Sequence, residues 1–344
     1  MIVAQIAQLS TFEEIIQLTL QGLALGAVYA LIALGFVIIY KATGVLNFAH
    51  GALMLVGVYV TFSLVAGQIP RVWPISGLGQ LLPFPEWMSW WTGLHINVRF
   101  PISVLLAIVF VALLGMLIER TALRKLVGQP VFAVVLVTLG LELVISTMVQ
   151  SFWNPLQKAM PTPFPVTASL RIGNLSIQWA SVWAIIVMVV VVLGFFAFFK
   201  YSKYGVAMRA TALDQEAAMA MGIKASTVFG LAWALGGAMA AIAGAMFIPA
   251  RLAGFISFTT VRFSALNAFP AAILGGLDSP GGAVVGGLGI GVAQVLSTRY
   301  LNPVLADLPV SLPNFHLVFP YVLMLLVLLV RPYGLFGTEE VRRV

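Results

Sequence analysis

Trp179 to Phe199 reads WASVWAIIVMVVVVLGFFAFF without one charged side chain, and a run of this length and character suits the core of a lipid bilayer. Similar runs recur along the chain. A spanning α-helix needs about 20 predominantly apolar residues, because hydrocarbon offers no partner to an unpaired peptide group. Spans are read at Ile15–Tyr40, in the apolar segment that follows Lys41 and reaches Tyr59, and at Ile102–Ile118, Val131–Val149, Trp179–Phe199, Val228–Pro249 and His316–Val330. Ser264–Leu296 reads as a broken or re-entrant helix pair, interrupted by Gly275, Gly276, Asp278, Pro280 and Gly281. With 61% hydrophobic and 8% charged residues in 344, no soluble core could hide so much apolar side chain, which excludes a soluble enzyme. The expected fold class is an all-α polytopic membrane protein, one domain over residues 1–344 with about 8–10 transmembrane or half-spanning helices.

The net charge of +7 is spread over loops and sets orientation; it does not form a nucleic-acid patch. Placing the clusters Arg120–Lys125, Lys200–Lys224 and Arg331–Arg343 inside puts the N-terminus outside and the C-terminus inside, with the loops near Arg251 and Arg299 outside. Glu13 and Glu14 precede the first span and no Lys or Arg occurs before Lys41, so the basic region of a cleaved leader is missing and the first helix is expected to stay. No cysteine is present, and His50, His95 and His316 are far apart, so no metal site is expected. The pattern G-x-x-x-x-G-K-[ST] is absent, so ATP, if used, is hydrolysed on another polypeptide. The stretch 67–99, with Trp73, Trp87, Trp90 and Trp91, suits an extracytoplasmic interfacial segment, including a short helix along the membrane surface.

Lys200 to Thr227 is a polar island between apolar segments. Lys200, Lys203, Arg209 and Lys224 lie in it beside Asp214 and Glu216. Asp214 is placed to cap a short helix whose first turn carries Glu216, near the positive end of the helix dipole, with Ala217, Ala218 and Met221 as a small apolar face. A basic cytoplasmic loop of any membrane protein would share the charges. The order Glu216-Ala217-Ala218, three residues, then Gly222 resembles the coupling loop on which permeases of ATP-binding-cassette importers dock a separate ATPase.

Asn47 and His50 stand at i and i+3, on one side of any helix through them, where His50 either packs with hydrogen bonds or lines a path. Glu142 falls among apolar residues in the span at Val131–Val149, where a carboxylate must be paired, protonated or facing water. Gly22 and Gly26 have the spacing that lets helices approach closely.

The run Asn47-Phe48-Ala49-His50-Gly51, followed by Gly57-Val58-Tyr59, is similar to the signature of H-type permease subunits of branched-chain amino-acid importers. Thr138–Leu141, Ala268–Gly291 and Arg331–Gly337 resemble the same family, whereas Glu142 and Asn267 depart from its pattern. The resemblance implies a permease of the importer transmembrane-domain type in the inner membrane of a bacterium or archaeon. Its implied partners are an M-type permease, two ATPase subunits that carry ATP and Mg, and an extracytoplasmic protein that delivers Leu, Ile or Val. It further implies coupling residues at Arg209, Asp214, Glu216, Ala217, Ala218 and Gly222; Asn47, His50 and Glu142 are the candidates for the path. The chain itself would hold no cofactor and do no covalent chemistry. Urea or a short amide as substrate, a passive channel, and an intramembrane hydrolase are the rival readings.

Overall fold

The computed structural model describes residues 11–71, 80–126, 129–164, 168–306 and 314–338. Trp73, Pro165, Arg342 and Arg343 lie outside these. Among the described residues, nine helices are long enough to build a membrane bundle: α1 (Thr11–Thr43), α2 (His50–Ala66), α3 (Ile96–Ile118), α4 (Val131–Trp153), α5 (Trp179–Tyr201), α8 (Ala225–Arg251), α9 (Phe258–Gly275), α10 (Pro280–Leu296) and α11 (Phe315–Val330). Two short helices, α6 (Lys203–Leu213) and α7 (Gln215–Ala220), stand between α5 and α8.

Helix α1 is the axis of the bundle. It is apolar on all sides, and 94% of its most hydrophobic window is buried, as expected for a helix surrounded by others. Its 33 residues extend ~50 Å at 1.5 Å per residue, so it overreaches the hydrocarbon layer. Helices α3, α4 and α5 pack at the periphery and leave most of their apolar surface uncovered, in the manner of lipid- or partner-facing spans.

Small residues bring the inner helices together. A Cβ added at Gly22 would lie 2.5 Å from the Cα of Val292, and one added at Gly291 would run into the backbone N of Gly26. Two small-xxx-small rows, Gly22/Gly26 on α1 and Gly287/Gly291 on α10, therefore pack directly on each other. In lipid this close backbone approach replaces the hydrophobic drive that holds soluble helices together. Helix α8 uses the same device against α3, where Gly115 meets the carbonyl of Trp233 and Gly237 meets that of Val111.

The polar contacts sort the loops into two ends. At one end Arg299 pairs with Glu14 at 2.5 Å, Asn174 Nδ2 donates to Glu13 at 2.9 Å and Gln17 bonds the backbone of Ser176. At the other, Lys41 Nζ donates to the carbonyl of Asp278 at 2.8 Å. The Glu14 end is more ordered than an aromatic loop implies. Gln68–Arg71 pairs antiparallel with Gln80–Pro83, and Ser169–Ile172 pairs with Leu175–Gln178 around Gly173 at φ +61°. Lys158–Ala159 bonds Phe255–Ile256. The short helix expected within 67–99 is one turn, Ser89–Thr92, tied by Trp91 Nε1 donating to Leu64 O at 2.8 Å.

Helices α9 and α10 are antiparallel, and the turn between them lies at the Lys41 end. Gly276 has φ +104°, Ser279 Oγ accepts the N–H of Gly282 at 3.1 Å, and Pro280 takes the first helical position. The segment 334–338 closes over this turn: Leu335 N donates to Leu274 O at 2.8 Å, Phe336 N to Gly275 O at 3.2 Å, and Thr338 N to Asp278 Oδ2 at 3.0 Å.

Candidate functional site

Two places gather polar side chains that the span pattern does not account for. The first is at the Lys41 end. Ser202 Oγ accepts the N–H of Gly205 at 2.9 Å and starts α6; Asp214 Oδ1 accepts the N–H of Ala217 at 2.9 Å and starts α7. Gly222 then ends α7 at φ +87°, with Gly222 N donating to Met219 O at 2.9 Å and Ile223 N to Ala218 O at 3.1 Å. That bond pair is a Schellman closure, and it requires the left-handed region that glycine enters without strain.

Glu216 and Ala217 face outward, as do Met221 at 84% and Leu213 at 89% exposure. Ala218, expected on the same outer face, is buried instead: on a helix of six residues it lies on the side turned to the protein. Leu213 takes its place in the outer apolar group, and its flanking position just before the cap is the available signal. Arg209 is not at the helix tip. Its guanidinium lies over the Phe199 ring at 5.3 Å and reaches the Lys200 carbonyl at 3.4 Å, which ties α6 back to α5.

Beside α7 a cavity of ≈ 290 Å³ is lined by Val45, Glu119, Gln129, Gln215, Phe229 and Trp233, among others. Glu119 is buried and bidentate with Arg124, at 3.1 and 2.7 Å, and the same guanidinium reaches Ser226 O at 3.4 Å. This pair fastens the 119–126 turn to the start of α8. In the sequence both residues read only as loop charges.

The second place surrounds the start of α2. The chain leaves helical geometry between Gly44 and Ala49, Gly44 takes φ +70°, and the N–H of Ala49 donates to Asn47 Oδ1 at 3.0 Å. Asn47 therefore forms an Asx turn ahead of the helix and shares no helical face with His50, because its short side chain competes successfully for a local N–H. His50 opens α2 and is fully buried against α1, its ring 4.5 Å from that of Phe36. A Cβ at Gly35 would sit 2.5 Å from His50 Cε1. Gly35 is eight residues before Thr43, so α2 begins ~12 Å inside the end of α1.

The next residue, Gly51, touches α9: its Cβ would lie 2.9 Å from the carbonyl oxygen of Arg262. Arg262 in turn holds Glu142 of α4, with Nε to Oε1 at 2.6 Å and the terminal nitrogen to Oε2 at 2.8 Å. Ser146 Oγ donates to the same Oε1 at 3.0 Å. Sequence reasoning does not single out Arg262, although it is the sole charge between Arg251 and Asp278 and so the natural partner for an intramembrane carboxylate. The structure brings Gly51 and Glu142 together around Arg262; Asn47 and His50 stay inside the subunit, and the break at Gly275–Gly281 lies at the Lys41 end, covered by the 334–338 segment.

Nine long helices among the described residues, six of them long and apolar enough to cross a membrane, with a polar helical insertion at one end and an ion pair inside the bundle, define a multi-pass helical membrane protein. Residues 18–328 match the family described as branched-chain amino acid transport system / permease component, and the chain belongs to that family. It is 31% identical over 338 residues to the high-affinity branched-chain amino acid transport system permease protein LivH of Salmonella typhimurium, covering 97% of this chain and 99% of that one. It is 30% identical over 342 residues to LivH of Escherichia coli K12, covering 97% and 99%, and 28% identical over 332 residues to the corresponding permease protein BraD of Pseudomonas aeruginosa, covering 96% and 98%. No solved structure matches the chain.

Proposed function

We propose that this chain is one of two permease subunits of an ATP-driven importer in the inner membrane, and that it moves branched-chain amino acids by alternating access. The near-full-length similarity to proteins named for branched-chain amino-acid transport supports the substrate class. The observation that carries the mechanism is α7: a helix capped at Asp214 and closed at Gly222, with exposed Glu216 in its first turn and exposed Leu213 and Met221 flanking its two ends, is a short peg offered to a partner.

In this reading two ATPase subunits bind ATP and Mg, close on nucleotide, and push α7 and α6 against α5 and α8. ATP binding favours one arrangement of the bundle over the other, and that differential affinity is the driving term. Glu216 and Arg209 divide the labour, Glu216 at the contact and Arg209 holding α6 to Phe199. A second, M-type permease completes the path, and an external binding protein delivers substrate. Lys41, Arg120, Arg124, Lys125, Lys200, Lys203, Arg209, Lys224 and Arg331 gather at the α7 end, which supports an inside C-terminus and an outside N-terminus. The path residues are assigned to the Glu142 region, with Asn47 and His50 shaping the start of α2 behind it.

The test is ATPase activity of the complex purified with its associated subunits and reconstituted in lipid, with binding protein presented empty or loaded with leucine, valine or urea. Stimulation by the leucine- or valine-loaded protein is expected. Stimulation by urea alone would move the substrate, and solute flux without any co-purifying ATPase would replace the importer with a channel.

A further inference from the structure

The Glu142–Arg262 pair is poorly placed for a purely structural clasp. Glu142 lies halfway along α4, far from either end, yet the two side chains keep 15% and 26% of their surface open. Leu139 and Leu143 lie within one turn of Glu142 on α4, Phe263 and Leu266 within about one turn of Arg262 on α9, and all four are exposed. A charge turned toward hydrocarbon is unfavourable, so the open edge of the pair needs water or protein beside it. Gly51 lets the start of α2 lie against the Arg262 backbone, and the Tyr321 hydroxyl donates to Leu266 O at 2.8 Å one turn further on, so α9 is braced from both sides at this level.

Taken together the pair is neutral, and each charge is answered within it. A free amino acid carries the same two charges: its carboxylate suits the planar fork of Arg262 and its ammonium suits Glu142. Inserting that zwitterion exchanges one charge-balanced arrangement for another and leaves no net charge in the low-dielectric interior. A neutral amide offers only dipoles to the two separated charges. The apolar flank then receives a branched side chain.

We propose that Glu142 and Arg262 form a zwitterion-selective site on the translocation path, opening to take the two charged ends of an α-amino acid and closing when it leaves. This rests on the importer reading above. The chain has no cysteine, so Leu266→Cys, one helical turn from Arg262, gives this subunit a single thiol, and its labelling by a water-soluble methanethiosulfonate reagent is read on this subunit alone. In the reconstituted complex leucine is expected to slow its modification at least fivefold, whereas isocaproate and isoamylamine, each with half of the charge pair, do not. In a Glu142→Gln/Arg262→Gln background, which keeps hydrogen bonding and strands no charge, the protection disappears and leucine uptake falls at least tenfold while the subunits still co-purify. A thiol that the reagent never reaches in any nucleotide state, protection that survives in the neutral background, or normal uptake by the double variant would each overturn the site. If the parent complex imports leucine while the double variant matches it, this proposal alone falls; if the parent imports urea and not leucine, this proposal falls together with the amino-acid substrate of the importer reading.

Discussion

Arg262 and Glu142, 120 positions apart, meet through two parallel N–H···O bonds inside the membrane bundle. The pair joins a peripheral helix to the helix that lies against the start of α2. Removing one partner leaves an uncompensated charge, so Arg262→Met should destabilise the protein by about 3 kcal/mol. The double variant Glu142→Leu/Arg262→Met should recover most of that loss. Thermal unfolding of the detergent-solubilised complex reads both, and a double variant no better than the single would remove charge stranding as the cause.

Gly289 and Gly291 should respond oppositely to the same change. A methyl at Gly291 would run into the α1 backbone at Gly26, whereas nothing lies within 4 Å of the position a methyl would take at Gly289. Gly291→Ala is expected to cost about 1–3 kcal/mol through overpacking, and Gly289→Ala to be neutral or mildly stabilising. Melting temperatures measured side by side decide it; equal shifts would contradict the interlock.

At Gly222 the constraint is conformation, since no atom crowds the site. Gly222→Ala places an L side chain at φ +87° and should cost about 1 kcal/mol locally, with Gly222→Asn less affected. Binding-protein-stimulated ATPase should fall for alanine and fall further for Gly222→Trp, which adds bulk on the docking side. Unchanged stimulation in the tryptophan variant would dissociate α7 from coupling.

Asp214 caps α7 with a single acceptor. Asp214→Ala should cost about 1 kcal/mol of local stability, and Asp214→Ser should restore most of it. Hydrogen exchange at the amide of Ala217 is the direct measure: faster in alanine, near parental in serine. Equal exchange in all three would mean that the cap does not hold the helix.

Short-range signals are the ones the sequence carries clearly. Asp214 and Gly222 announce the two ends of α7 because a cap and a left-handed closure depend on residues within one turn. The burial of Ala218 is not legible, since a helix of six residues has no hydrophobic periodicity to show which side faces the protein. Likewise Asn47 and His50 read as one helical face, and only the backbone of 44–49 shows that the helix starts between them. The β-pairs at the Glu14 end escape sequence reasoning because their strands are two to four residues long, too short for an alternating pattern.

What the sequence determined by itself is the class of protein and the order of its spans, because transfer of each apolar run into hydrocarbon is a sum over nearby residues. The clustering of Lys and Arg at one end followed from the same segment-by-segment reading. Tertiary structure decided which glycines touch a neighbouring backbone, that Glu142 meets Arg262, and that His50 lies behind Gly35 and Phe36. Those outcomes depend on how each helix is rotated about its axis, and in a membrane that rotation is set by packing against other helices, a relation between distant parts of the chain that hydropathy does not contain.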